Sequence, residues 1–365
     1  MKYLLTISRI IVGILFIFSG LVKANDPLGL SYKMQEFFEV WGWHGLNSIT
    51  LGLSIIMIAF EIIAGVAVLL GWRFRLFSWL LLLLIIFFTF LTGYAVLSNK
   101  IKECGCFGDC IKLTAMDSFI KDLVLLGLIL LLFAFRKRVQ PLFSNRVNVA
   151  LLLLTTLGSF GLQWYVLTYL PVVDCLPYKR GNNVLEKMKI PPGAIPDSTV
   201  ITFVYKKDGK EIEFTADKFP ADFDDSYQLV KRYDKLVRKG NAEAAIKDFS
   251  LLDSNGINVT QAYFATPGKK ILVFVKNIPA DLHDHTEEFT NLFQSAEKEG
   301  VDFAIVTSQV GEVRAAFSKV LAGKQVKYFG CDFVAVKTAS RSPITIYTID
   351  GAVIIDKYSY EKIPD

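Results

Sequence analysis

Five long apolar stretches fill the first 170 residues and leave this chain few architectures to choose from. A helix rises 1.5 Å per residue, so roughly 20 apolar residues are needed to cross about 30 Å of hydrocarbon. Stretches at about 4–22, 49–71, 76–97, 118–135 and 148–170 meet that requirement, and no comparable run follows Leu170. The chain therefore divides near Pro171 into a membrane half and a soluble half, and the lipid bilayer is its first partner. Hydrophobic residues make up 52% of the sequence, too many for a disordered chain or a wholly soluble globule. The formal charge of +5 is spread without a long basic block, which argues against nucleic acid as a partner.

Short loops between spans set orientation, because Lys and Arg collect on the cytoplasmic side. Lys2 and Arg9 mark the start, Arg73 and Arg75 follow span two, and Arg136, Lys137, Arg138 and Arg146 lie between spans four and five. The alternate loops, 23–48 and 98–117, mix both signs. This predicts a multi-pass inner-membrane protein of five spans, with its N-terminus cytoplasmic and everything after Pro171 periplasmic. A cleaved signal peptide ending at Val22-Lys23-Ala24 is the alternative for span one; Arg9 within it and the four spans that follow oppose cleavage. In the first outer loop, Leu30, Met34, Phe37, Phe38 and Trp41 recur at helical spacing. That pattern fits either an amphipathic helix on the membrane surface or an ordinary packed helix.

The most informative string is ECGCFGDC at 103–110, in the second outer loop. Three thiols and two glycines within it allow tight turns that bring sulfurs together. Cys175, five residues beyond span five, falls on the same face and is the natural fourth member. Three readings of Cys104, Cys106, Cys110 and Cys175 stay open: thiol–disulfide chemistry, a structural pair of disulfides, and a metal site using them or His44. Cys-x-Cys-x3-Cys is not a usual zinc spacing, so no metal site is assigned. Charges inside spans are costly and count as functional candidates. Glu61 lies near the middle of span two, and Arg9 is the partner expected to reach it; a proton-handling carboxylate is the functional alternative. Lys121 and Asp122 open span four beside the cysteine loop, where Lys121 could favour a thiolate or merely extend its charge to the interface.

In the soluble half, VITFVYKKDGKEIEFT at 200–215 reads as a hairpin turning at Asp208-Gly209, residues 221–247 read as helical, and a second hairpin turns at Asn255-Gly256. From Lys269 strands and helices alternate, then SPITIYTIDGAVIIDKY closes with an antiparallel hairpin. Over about 246–365, DFSLLDSNG, ILVFV and Ser342-Pro343 resemble thioredoxin-like domains of the periplasmic TlpA-like kind. The resemblance implies a cis proline at Pro343 and a Cys-x-x-Cys after the first core strand. Asn277 to His285 occupy that place without a cysteine, and neither Asp281 nor His283 can replace a thiolate. Cys331, the only cysteine of this region, reads as a buried structural thiol.

The stretch RIIVGILFIFSGLVKANDP and the string CGCFG resemble the DoxX family, and within it the MauE-like branch, over about 1–140. That resemblance implies sulfur redox or protein maturation at a membrane, with quinone as a conceivable acceptor, and fixes no substrate. The expected architecture is an α-helical membrane bundle of four DoxX/MauE-like helices over 1–140, a fifth helix over 141–172, a connector over 173–245, and an α/β thioredoxin-like domain over 246–365. Two functions follow from it. In one, the outer cysteine loop takes part in thiol–disulfide exchange with a periplasmic client or redox partner. In the other, the chain catalyses nothing and presents a redox-inactive interaction domain.

Overall fold

The computed structural model describes every residue except 1, 99–100, 102–104, 106–107, 112, 197, 239, 241, 323 and 364–365, and for 2, 44, 235, 236 and 238 the backbone alone. The membrane half is built from α1 (Lys2–Ala24), α2 (Pro27–Val40), α3 (Thr50–Leu70), α4 (Phe74–Ser98), α5 (Ala115–Ala134) and α6 (Asn145–Tyr169). Among the described residues, four helices are long and apolar enough to cross a membrane: Tyr3–Ala24, Gly45–Leu70, Phe74–Ser98 and Asn145–Tyr169. The fifth, α5, has 20 residues and carries Asp117, Lys121 and Asp122 in its first half. Its two ends are fixed by contacts at opposite ends of the bundle. Leu142 N–H donates to Leu70 O at 2.9 Å, and Trp72 Nε1 donates to Asn145 Oδ1 at 2.8 Å. The loop after α5 therefore lies against the α3–α4 turn. Before α5, Cys110 is joined to Cys175 beyond α6. So α5 runs the length of the bundle between these two ends.

Antiparallel α1 and α3 meet along glycines, which let the backbones approach. A Cβ at Gly20 would lie 2.5 Å from Ile62 Cγ1, and one at Gly65 would lie 2.8 Å from Ile17 Cγ1 and 2.9 Å from Gly13 O. Gly71, at φ +68°, ends α3 in the left-handed conformation that glycine tolerates. Helix α2 is a packed helix and not only a surface one. Leu30 and Met34 sit with Ile58 and Ile62, Phe37 packs with Ala95 and Ile101, and Ser31 hydrogen-bonds Thr50 at 2.8 Å.

Beyond α6 the chain forms α7 (Val184–Lys187), a three-stranded antiparallel sheet in the order β2-β1-β3, and a larger α/β unit. β1 (Ser198–Lys207) and β2 (Lys210–Thr215) pair across Asp208-Gly209, both at positive φ, as the sequence predicts. β3 (Gln228–Arg238) corrects the helix expected over 221–247, since it pairs with β1 along its length. Its Tyr233 hydroxyl reaches Glu213 across the sheet. The residues before β3 turn back so that Phe219, Phe223 and Tyr227 pack on Tyr205 and Phe214.

The larger unit adds α8 (Thr260–Ala265), β4 (Lys269–Val275), α9 (Thr286–Glu299), β5 (Asp302–Thr307), α10 (Val310–Val320), β6 (Lys327–Gly330), α11 (Phe333–Ala339), β7 (Ile344–Asp350) and β8 (Val353–Ser359). Its sheet runs β6-β5-β4-β7-β8, with β5 parallel to β4 and β6, and β7 antiparallel to β4 and β8. β4 is buried on both faces, which is why KKILVFV is a continuous apolar run and not an alternating one. Val273 and Val275 face Phe289 and Phe317, whereas Leu272 and Phe274 face Phe249 and Phe264. Tyr178 and Val184 also enter this second face, and Arg180 pairs with Asp356, so the segment after α6 belongs to this core. No described peptide bond is cis, so the bond before Pro343 departs from the cis proline expected.

The α1–α3 contact predicts that Gly65→Val, by overpacking against Ile17 and the Gly13 carbonyl, lowers unfolding stability in detergent by about 1–3 kcal/mol. Gly52→Ala, which meets nothing within 4 Å, should leave stability unchanged or raised. Equal stability of the native and Gly65→Val proteins would contradict the close approach.

Candidate functional site at the cysteine-loop end of the bundle

Thr114 caps α5 by accepting from Asp117 N at 3.2 Å, and Ile101, 1% exposed, is anchored beside Phe37. Described residues of the cysteine loop between them lie against α1 and α2. Gly108, at φ +57°, lies against Val22, and a Cβ on Gly105, at φ +67°, would lie 2.9 Å from Lys33 Cγ. Cys110 and Cys175 are joined, with Cα atoms 4.8 Å apart. Cys104 and Cys106, on either side of Gly105 in sequence, lie outside the described residues, as does the His44 side chain.

The intramembrane charges pair differently from the sequence expectation. Glu61 accepts from Lys23 Nζ at 2.6 Å and from Ser19 Oγ at 3.1 Å, with both charged groups buried. Arg9 does not reach it. Because α1 runs antiparallel to α3, Arg9 lies level with Gly71 at the far end of α3, and its Nε is buried without a hydrogen-bond partner. Lys121 Nζ lies 2.8 Å from Asp122 Oδ1, while Thr92 Oγ1 donates to Asp122 Oδ2 at 3.1 Å. Lys23, Glu61, Lys121 and Asp122 all border one small cavity among α1, α3, α4 and α5. A larger cavity of about 260 Å³ adjoins it, walled by residues such as Met34, Phe37, Trp41, Phe87 and Leu91. Lys23 and Thr92 also line it, and so does Gly105 of the cysteine loop. Lys23 Nζ sits 4.8 Å from the Phe88 ring centroid and so borders both cavities.

The α/β unit closes over this end through one arginine. Arg341, 4% exposed, donates from Nε to Asp26 Oδ2 at 2.8 Å and from Nη2 to Asp109 Oδ2 at 2.7 Å. Its guanidinium lies 5.3 Å from the Tyr32 ring, and Lys337 reaches the same ring at 4.0 Å while donating to Gln35 Oε1 at 2.9 Å. Burial opposes the charge of Arg341, but Asp26 and Asp109 outweigh it and hold the guanidinium above its ordinary pKa. Burial pushes the Tyr32 hydroxyl up to about 12. Burial, with Arg341 and Lys337 alongside, pulls the Lys276 ammonium down to about 8. Asp26 also caps α2, accepting from Gly29 N at 3.0 Å. A second contact, Lys357 to Asp174 at 2.6 Å, ties β8 to the segment leaving α6.

Sequence reasoning missed Lys23, Asp26, Tyr32, Asp109, Lys276 and Arg341. Asp26-Pro27 was legible as a helix start, and Asp109 stood in the quoted loop string, but nothing local paired them with a residue more than 200 positions away.

Residues 1–135 match the family model described as methylamine utilisation protein MauE. Residues 1–135 are thus similar to the MauE family. The match ends just past α5 and takes in the cysteine loop, so Lys23, Asp26, Glu61, Asp109 and Asp122 all fall inside the matched region. Residues 199–239 match a domain of unknown function, DUF8463, which corresponds to the three-stranded sheet. No curated protein and no solved structure matches the chain.

Removing Arg341 leaves two carboxylates of the MauE-like region without their cation. Arg341→Leu is expected to cost about 3–5 kcal/mol at this contact. Thermal unfolding should show a lowered transition, and limited proteolysis should show faster cleavage after Leu170. A variant with native melting and native cleavage would show that the contact does not hold the two parts together.

Proposed function

We propose that the chain is a membrane accessory protein of sulfur redox or protein maturation whose cysteine loop exchanges disulfides on the periplasmic face of the inner membrane. Cys104 and Cys106 are the reactive pair, and Cys110 with Cys175 secures the loop that carries them. The observation that carries this reading is the position of Gly105: the residue between the two cysteines lines the same apolar cavity as Lys23, which is held by Glu61. A lipid-soluble quinone bound there would accept two electrons and two protons as the two thiols form one S–S bond. Lys23 would offer an N–H to a carbonyl oxygen, the aromatic walls would exclude water, and the Lys23–Glu61 pair would hold a proton within the bundle. A client dithiol would then return the loop to its thiol form by exchange.

We further propose that α5 spans the membrane with the other four long helices, which puts the arginine-rich loops in the cytoplasm and the α/β unit in the periplasm. The α/β unit is read as a thioredoxin-like domain, supported by its β5-β4-β7-β8 order and by Pro343 preceding β7. It supplies no thiol pair. Cys331 is 6% exposed, and burial pushes its thiol up to about 11, which makes it a poor nucleophile at neutral pH. The domain instead grips the cysteine-loop end through Arg341 and Lys337. The competing reading, a non-catalytic scaffold presenting an interaction domain, draws on this same absence of thiols.

Two measurements test these proposals. In nanodiscs, pre-reduced protein freed of reductant should convert a short-chain quinone to hydroquinone. Cys104→Ser and Cys106→Ser should each abolish the conversion, and Cys331→Ser should leave it intact. Conversion that persisted in both loop variants, or never occurred in the native chain, would favour the scaffold. For orientation, Lys210→Cys lies on the exposed β1–β2 turn region and should be labelled by an impermeant thiol reagent in intact spheroplasts, as read by peptide mapping. Labelling only after lysis would place the α/β unit in the cytoplasm and overturn the five-span arrangement.

A further inference from the structure

We propose that Asp281, His285 and Glu361 form a binding site for a divalent cation of the Mn²⁺, Fe²⁺ or Zn²⁺ class on the α/β unit, independent of the cysteine loop. The three residues come from two chain segments brought together by the fold. Asp281 precedes and His285 ends the single turn Leu282–His285 that leads from β4 into α9, and Glu361 follows the end of β8. One ligating atom from each lies within 4.8 Å of the others, a spacing that a single ion can close by small side-chain movements.

The surroundings hold these donors in place. Tyr360, 5% exposed, donates its hydroxyl to Asp281 Oδ1 at 3.2 Å, and its ring meets the His285 ring edge-on with centroids 5.0 Å apart. The two imidazole nitrogens face different carboxylates: Nε2 lies 4.0 Å from Glu361 Oε2, and Nδ1 lies 3.9 Å from Glu288 Oε1. A proton on Nδ1, drawn toward Glu288, leaves the Nε2 lone pair directed at Glu361 and available to a metal. Leu282, in the turn, and Phe289, in α9, are buried and anchor it.

Charge balance points the same way. Among the described residues, no Lys or Arg forms an ion pair with Asp281 or Glu361, although the two carboxylates converge. One imidazole nitrogen and two carboxylate oxygens suit borderline to hard divalent ions and leave further coordination positions for water. The site stands near the place where the resemblance to thioredoxin-like domains calls for a Cys-x-x-Cys, so this loop would hold a cation in the absence of thiols.

The test uses the full-length protein in detergent, stripped with chelator and titrated with Mn²⁺, free ion being read by electron paramagnetic resonance. Mn²⁺ prefers oxygen and imidazole donors to thiolates, which separates this site from the cysteine loop. One equivalent should bind to the native chain, and Zn²⁺ should displace it. Asp281→Asn, His285→Ala and Glu361→Gln should each weaken binding at least about tenfold, while His283→Ala, an exposed neighbour outside the triad, should not. Circular dichroism confirms that each variant is folded. Absence of bound Mn²⁺ in the native chain, or equal binding by all three folded triad variants, would overturn the proposal.

Discussion

A buried arginine with two carboxylates governs how the parts of this molecule meet. Arg341 leaves the α/β unit just before β7 and finds Asp26 on the α1–α2 turn and Asp109 in the cysteine loop, all inside a contact that excludes most water. A desolvated guanidinium is tolerated only when such partners satisfy it. The pairing therefore couples three placements. Asp26 also caps α2, so the angle at which α2 lies on α3 is tied to the docking of the α/β unit. Asp109 directly precedes Cys110, so the same contact fixes the loop next to its disulfide. A shift of the α/β unit by one helical turn would strand at least one of these charges, which makes the arrangement specific rather than merely adhesive.

The sequence made most of the membrane half legible because apolar length is a coarse physical requirement that few other structures satisfy. It was less informative about pairing. Glu61 was matched to Arg9 by counting from helix ends, but antiparallel stagger between α1 and α3 sets which residues are level, and the glycine contacts that determine that stagger became visible only in three dimensions. Residues 221–247 misled for another reason. Their Lys, Asp, Ala and Tyr content suits an exposed helix, whereas QLVKRYDKLVR takes its structure from hydrogen bonds to β1 and from the aromatic cluster packed beside it. Cys175 was recognised as belonging with the loop cysteines; that Cys110 is its partner depends on how the loop crosses α1, which spacing does not encode. Arg341 left no local trace at all, since its partners stand 315 and 232 positions away.

Labour is divided between the two halves along chemical lines. Cys110 and Cys175 are joined at one end of the bundle, and Cys331 is enclosed in the α/β core. The α/β unit in turn directs cations toward the bundle: Arg341, Lys337 and Lys276 all approach Tyr32. In the proposed reading this positive face, close to the loop, favours thiolate over thiol there, an effect the sequence offered for Lys121 beside interfacial snorkelling. Lys121 itself is engaged by Asp122 in the bundle.

The charges within the bundle follow from the same requirement of pairing. Lys23 with Glu61, and Lys121 with Asp122, are each nearly neutral as pairs, and hydroxyls of Ser19 and Thr92 complete the acceptors. Four ionisable groups around a small cavity would be an expensive way only to join helices, because apolar side chains of similar volume pack α1, α3, α4 and α5 without a desolvation cost. In the proposed reading their placement gives them a further use. Lys23 is shared by the polar cavity and the apolar one, and Gly105 lines the apolar cavity. A chain of contact thus runs from the buried carboxylates, through one ammonium, past an aromatic-walled space, to the residue between the two loop cysteines. In the proposed reading, proton transfer and electron transfer would then meet at Lys23, which with Phe88 borders both cavities.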